Sequence, residues 1–102
     1  MAARTPLTDD EITARLAGLP GWVRDGDGIS RTFTDTWDNC IELVVHVAAK
    51  ANEIAHHPDI DIRWQRVRFA MTTHAAGAKL TELDFELARH IDALAALRTG
   101  HQ

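Results

Sequence analysis

Two short runs of alternating side chains, set off from a long helical pattern by a proline, constrain this chain most. The first places Ile60, Ile62 and Trp64 on one side against Asp61 and Arg63 on the other. The second places Val67, Phe69, Met71 and Thr73 against Arg68, Ala70, Thr72 and His74. A period of two over such short runs is that of half-buried strands, so the spacing predicts strands over residues 60–64 and 67–73. Just before them stand His56 and His57, followed by Pro58. A residue preceding proline is pushed out of the helical region, so the pair is expected to close the helix that arrives there. Two imidazoles are thus fixed at an element boundary, and His74, at the end of the second strand, can return beside them.

The remaining elements follow from caps and periodicity. Thr8-Asp9-Asp10-Glu11 is a capping box, with a hydroxyl at the cap and a carboxylate three residues on. It opens a short helix with Ile12, Leu16 and Leu19 on its apolar side, ended by Gly18, Pro20 and Gly21. Trp22 and Val23 start a strand that reverses at Asp25-Gly26-Asp27-Gly28 and returns over residues 29–33. Asp35, with Asp38 after it, is expected to cap a long helix carrying Trp37, Ile41, Val44, Ala48, Ala51 and Ala55 at three- and four-residue intervals. After the second strand pair comes a loop around Gly77. Thr81 then caps a last helix with Leu83, Leu87, Ile91, Leu94 and Ala95 on one face. The order α-β-β-α-β-β-α implies an α+β fold, a two-layer sandwich in which a four-stranded antiparallel sheet carries its helices on one face.

At 102 residues the chain is expected to form a single domain spanning 1–102, with residues 1–6 loose. Its composition, 45% hydrophobic and 25% charged, is that of an ordinary globular protein. No apolar run suits a bilayer and no signal-like opening is present, so no membrane partner and a cytoplasmic location are expected. A net charge of -4 without a Lys/Arg cluster argues against direct nucleic acid binding. The lone Cys40 has no partner for a disulfide and falls in an apolar helical pattern, as a core residue would.

Three readings fit the histidines. His56, His57, Asp59, Asp61 and His74 are all potential metal ligands, but neighbouring histidines at a helix end point apart and no pair stands four residues apart on a helix. Capping or packing would account for any one of the rings, and less well for three that meet at element ends. Proton transfer suits an imidazole that titrates near neutrality, one ring donating what another accepts. His46, His90 and His101 are assigned no chemistry.

The stretch resembles the pterin-4a-carbinolamine dehydratases in its His56-His57-Pro58, its aromatic Trp64, its Thr73-His74 and an Asp84 opening the last helix. Gly21-Trp22 and Leu80-Thr81-Glu82-Leu83-Asp84 extend the likeness over nearly the whole chain. The resemblance implies loss of water from a 4a-hydroxy-tetrahydropterin to give the quinonoid dihydropterin recycled after aromatic amino acid hydroxylation, with no metal and no organic cofactor. It implies His56 and His74 as the acid and base pair, and His57 as the ring that holds the pterin. Pro58, Trp64 and Thr73 would shape the pocket, and Asp84 would support it, as a helix cap more than as a proton-transfer group. It further implies a homodimer or homotetramer. An alternative on the same scaffold is a noncatalytic dimerisation or protein-assembly factor. The chain departs from the family pattern at Asn52 and Ala55, where charged and polar residues are usual, and in the loop over residues 75–80. That loop is one residue longer and carries Ala78 where glycine is usual.

Overall fold

The computed structural model describes residues 5–99. The chain runs α1 (Asp9–Ala17), β1 (Val23–Asp25), β2 (Gly28–Thr34), α2 (Trp37–Ile54), β3 (Asp59–Arg63), β4 (Arg66–Met71) and α3 (Glu82–Thr99), with a single 3-10 turn at His74–Ala76 between β4 and α3. The α+β order expected from the sequence is the one observed. All four strands pair antiparallel in the order β1-β2-β4-β3, so two hairpins meet along β2 and β4 and leave β1 and β3 at the edges.

Alternation along the strands sorts the side chains. Val67, Phe69 and Met71 of β4 are buried, opposite Phe33, Arg31 and Ile29 of β2 and, for the first two, Ile62 and Ile60 of β3. Against this face pack Cys40, Leu43 and Val47 of α2 and Phe85, Leu87, Ala88 and Ile91 of α3. Full burial of each large apolar side chain stabilises the fold by about 1.5–3 kcal/mol. The opposite sheet face carries Thr32, Thr34, Arg66, Arg68, Asp61 and Arg63, exposed or half-exposed and uncovered by any helix of the described residues. Trp22, at the edge of the core, turns its indole N–H to Asp92 at 2.8 Å, and Arg31 reaches the same carboxylate at 2.9 Å, which ties the first hairpin to α3.

The expected capping box is present: Thr8 Oγ1 accepts from the Glu11 N–H, and Glu11 Oε1 accepts from the Thr8 N–H at 2.8 Å. The bond from the Thr8 backbone, more than that from its side chain, holds the Glu11 carboxyl below the usual carboxylate range. A lowered folded value means this cap contributes above the ordinary carboxylate pKa and weakens as pH falls through the lowered one. Thr81 likewise caps α3, its hydroxyl accepting from the Leu83 N–H. The thiol of Cys40 is buried and its pKa is pushed up by that burial, as a core cysteine requires.

Three local expectations are corrected. The cap of α2 is Thr36, whose hydroxyl accepts from the Asn39 N–H, while Asp35 accepts from the Thr36 N–H and the Asn39 side chain. An 18-residue helix with apolar residues on two sides left the buried stripe ambiguous, and the core takes Cys40, Leu43, Val47 and Ala51 while Trp37 and Ala48 face outward. Trp64 does not end a strand. It enters the two-residue turn between β3 and β4 with φ 51° and is 72% exposed. Alternation alone had placed it, and the pairing of Arg63 with Arg66 leaves only Trp64 and Gln65 to reverse the chain. Of the terminal expectations, residues 1–4 and His101 lie outside the described residues.

Candidate active site

Both histidine-bearing segments lie at element ends, one after helix α2 and the other after strand β4. Helix α2 ends on Ala55 in the left-handed region (φ 56°, ψ 41°), with the His56 N–H donating to Ala51 O at 3.0 Å and the Ala55 N–H to Asn52 O at 3.3 Å. These paired bonds form a Schellman closure, and the left-handed residue turns the chain sharply off the helix axis. His56 and His57 follow as extended residues into Pro58 and β3, so they point to different surroundings. His74 opens the 3-10 turn just after β4, which Gly77 and Ala78 close with φ 78° and 59°. Ala78 thus adopts the left-handed conformation that its usual glycine would reach without a Cβ penalty.

His56 is buried, and its Nε2 donates to Asp84 Oδ1 at 2.7 Å. The other oxygen of Asp84 accepts from the Thr81 N–H at 2.9 Å and from Thr73 Oγ1 at 2.8 Å. With its own proton given to Asp84, Thr73 Oγ1 accepts from Thr81 Oγ1 at 2.7 Å. The side-chain oxygens of the buried Thr73, Thr81 and Asp84 are all engaged in these bonds, which hold the His56 ring by way of two elements at once. Asp84 is therefore both the helix cap and the partner of an imidazole.

His57 lies on the other side of the bend, exposed, with Nε2 at 2.8 Å from Asn52 Oδ1. A carbonyl oxygen only accepts, so Nε2 carries a proton, and in the neutral ring the lone pair is then on Nδ1. His57 and His74 line one cleft of about 320 Å³. Its other walls are Asp25, Asp27, Gly28 and Ile29 of the first hairpin, Asp59 of β3, Arg68, Ala70, Met71 and Thr72, and Ala78 of the loop. Gly28 makes this junction possible, since a Cβ there would stand 2.5 Å from Met71 O. Arg68 donates to Asp25 across the rim.

The cleft joins His57 and His74 and leaves other expected site residues elsewhere. His56 sits behind it against Asp84, Thr73 is engaged with Thr81 and Asp84, and Trp64 borders a separate depression at the far turn with Ile62 and Gln65. Pro58 is half-buried beside His57. Asn52, a departure from the family pattern in the sequence, takes a role here: its bond to His57 spans five residues across the helix end and becomes readable only once the left-handed closure at Ala55 is known. Asp25 and Asp27, which the sequence places in the turn of the first hairpin, also wall the cleft. Among the described residues, no three His, Cys, Asp or Glu side chains converge as a metal-holding group.

The family profile for pterin 4 alpha carbinolamine dehydratase matches residues 5–94. A protein of Mycobacteroides abscessus, named "putative pterin-4-alpha-carbinolamine dehydratase", is 49% identical over 87 residues, which cover 84% of this chain and 92% of that one. The crystal structure of a transcriptional coactivator/pterin dehydratase from Brucella melitensis superposes with a TM-score of 0.85 at 29% identity, covering 89% of this chain and 99% of that one. A pterin dehydratase-like RuBisCO assembly factor of the alpha-carboxysome shares the fold at a TM-score of 0.62 and 22% identity, over 74% of this chain and 89% of that one. The chain belongs to the pterin 4 alpha carbinolamine dehydratase family.

Proposed function

We propose that the protein removes water from a 4a-hydroxy-tetrahydropterin, with His57 and His74 as the proton-transfer groups and the quinonoid dihydropterin as product. The observation that carries this reading is the presence of both imidazoles on one cleft of about 320 Å³, within the size range of small-molecule sites. In the reaction the C4a–O bond breaks as the hydroxyl takes a proton and departs as water. The N5 proton leaves to a base, and its electron pair closes the C4a=N5 double bond. The His57 Nδ1 lone pair, kept free by the Asn52 bond at Nε2, suits it to receive the N5 proton. His74, exposed in the same cleft, then supplies the proton to the leaving hydroxyl. The net proton passes back through open solvent.

This assignment gives His57 the proton-transfer role that the family resemblance gave to His56. His56 becomes a positioning residue: held by Asp84, it fixes the backbone bend from which His57 projects. The chemistry needs no metal and no organic cofactor, and its place after aromatic hydroxylation follows from the substrate. A noncatalytic assembly factor on this scaffold would have no use for two imidazoles across an open cleft. The test is dehydration of enzymatically generated 4a-hydroxy-tetrahydropterin, followed by absorbance. His57→Ala and His74→Ala are each expected to lower turnover by about 10²–10⁴-fold with unchanged circular dichroism. Wild-type rates in both folded variants would remove the assignment.

A further inference from the structure

We infer that the pterin substrate carries an oxyanion on its C6 substituent, received by Arg63, Arg66 and Arg68 on the uncovered face of the sheet. The inference rests on the ring binding in the His57–His74 cleft as proposed above. C6 is bonded to N5, so its substituent leaves the ring beside the reacting edge. A second cavity, of about 280 Å³ and lined by Thr32, Asp61, Arg63, Arg66 and Arg68, lies along the sheet from that cleft, and Arg68 borders both. Ala70 at the ring cleft, Arg68 and Arg66 alternate on one face of β4, about 7 Å apart in turn. A short substituent crosses the first interval to Arg68, and the cavity that Arg68 shares with Arg63 and Arg66 continues over the second.

The charges here are hard to explain by folding. Arg63 and Arg66 stand directly opposite each other across β3 and β4, and like charges so placed weaken a sheet. Two of the three guanidinium groups are offset, Arg68 by Asp25 and Arg63 by Asp61 at 3.4 Å. Arg66 has no ion pair among the described residues, which leaves one cation in surplus in a chain of net charge -4. An oxyanion bridging Arg66 and its neighbours would relieve the repulsion, and the planar guanidinium fork matches a phosphate or carboxylate in two-point contact. The Thr32 hydroxyl on the same wall adds a neutral donor.

Phosphate ester and carboxylate share this chemistry, and separate substrates distinguish them. Carbinolamines bearing a 6-methyl, a 6-phosphomethyl or a carboxylate-tailed C6 group would be compared by kcat/KM at low and high salt. For the preferred anion, the ratio to the 6-methyl substrate is expected to be roughly tenfold at low salt, to shrink as salt screens the pair, and to fall toward one in Arg66→Ser. A wild-type ratio of one for both anions, or an unchanged ratio in Arg66→Ser, overturns the inference. Thermal unfolding checks that Arg66→Ser folds; its midpoint is expected not to fall, because a like-charge pair is removed. If none of the carbinolamines is dehydrated, the proposed reaction fails, and the anion site is judged by equilibrium dialysis of stable oxidised pterins. Stronger retention of 6-phosphomethyl-pterin or of carboxylate-tailed pterin than of 6-methyl-pterin by the wild type supports the site, and equal retention of all three excludes it.

Discussion

Single residues set the chemistry through bonds made across elements. Asp84 serves α3 as a cap and His56 as an acceptor, and its oxygens take three donors in a buried place. Asp84→Ala would leave the His56 ring, the Thr73 hydroxyl and the Thr81 N–H short of an acceptor. It is expected to cost about 2–4 kcal/mol in urea unfolding, more than cap loss alone, which costs about 1 kcal/mol. A loss near 1 kcal/mol would mean that His56 is not held through Asp84. By type and spacing His56, His57, His74 and Asp84 stand out in the sequence as candidates. Which ring faces the cleft is not readable there, because two neighbours in the chain diverge only through the backbone angles of Ala55. Asn52 was visible only as a departure from the family pattern, and its bond to His57 was hidden for the same reason: helical spacing relates residues three and four apart, and this bond runs past the end of the helix.

At the scale of elements, caps and alternation predicted where helices and strands form more securely than which side they bury. The Thr8 capping box and Thr81 were legible because each relies on a hydroxyl beside the backbone N–H groups it serves. The buried stripe of α2 was not, since apolar residues occupy two of its faces and only packing against β4 and α3 chooses between them. Trp64 fits a strand pattern by size and position, yet the Arg63–Arg66 register turns it into a left-handed hairpin residue. Two other left-handed positions give a direct test. Ala55 and Ala78 hold φ 56° and 59°, a region that costs an L-residue roughly 1–2 kcal/mol and glycine little. Ala55→Gly and Ala78→Gly are each expected to raise stability by about 0.5–1 kcal/mol, after the added chain entropy of glycine is offset. A lowered unfolding midpoint in both would contradict these backbone conformations.

For the whole molecule, the α+β order and the single helix-covered face followed from periodicity, while the strand order β1-β2-β4-β3 needed the pairing of two hairpins that are distant in sequence. Edge strand β3 has no neighbour on its outer side, and Trp37 and Val45 of α2 stand 49% and 58% exposed. Unpaired strand edges and exposed apolar residues favour self-association. A homo-oligomer of two subunits or more is expected in light scattering at micromolar concentration, and the 11.3 kDa mass of one chain would contradict it. No helix among the described residues is long and apolar enough to cross a membrane. The cleft is proposed to dehydrate a pterin carbinolamine by imidazole proton transfer alone. The most direct test is the rate of that dehydration by protein dialysed exhaustively against chelator and shown metal-free by elemental analysis. Full acceleration over the spontaneous reaction is expected, with the rate falling on both sides of a pH maximum because one ring must be protonated and the other neutral. A dialysed protein without activity that zinc restores would contradict the account.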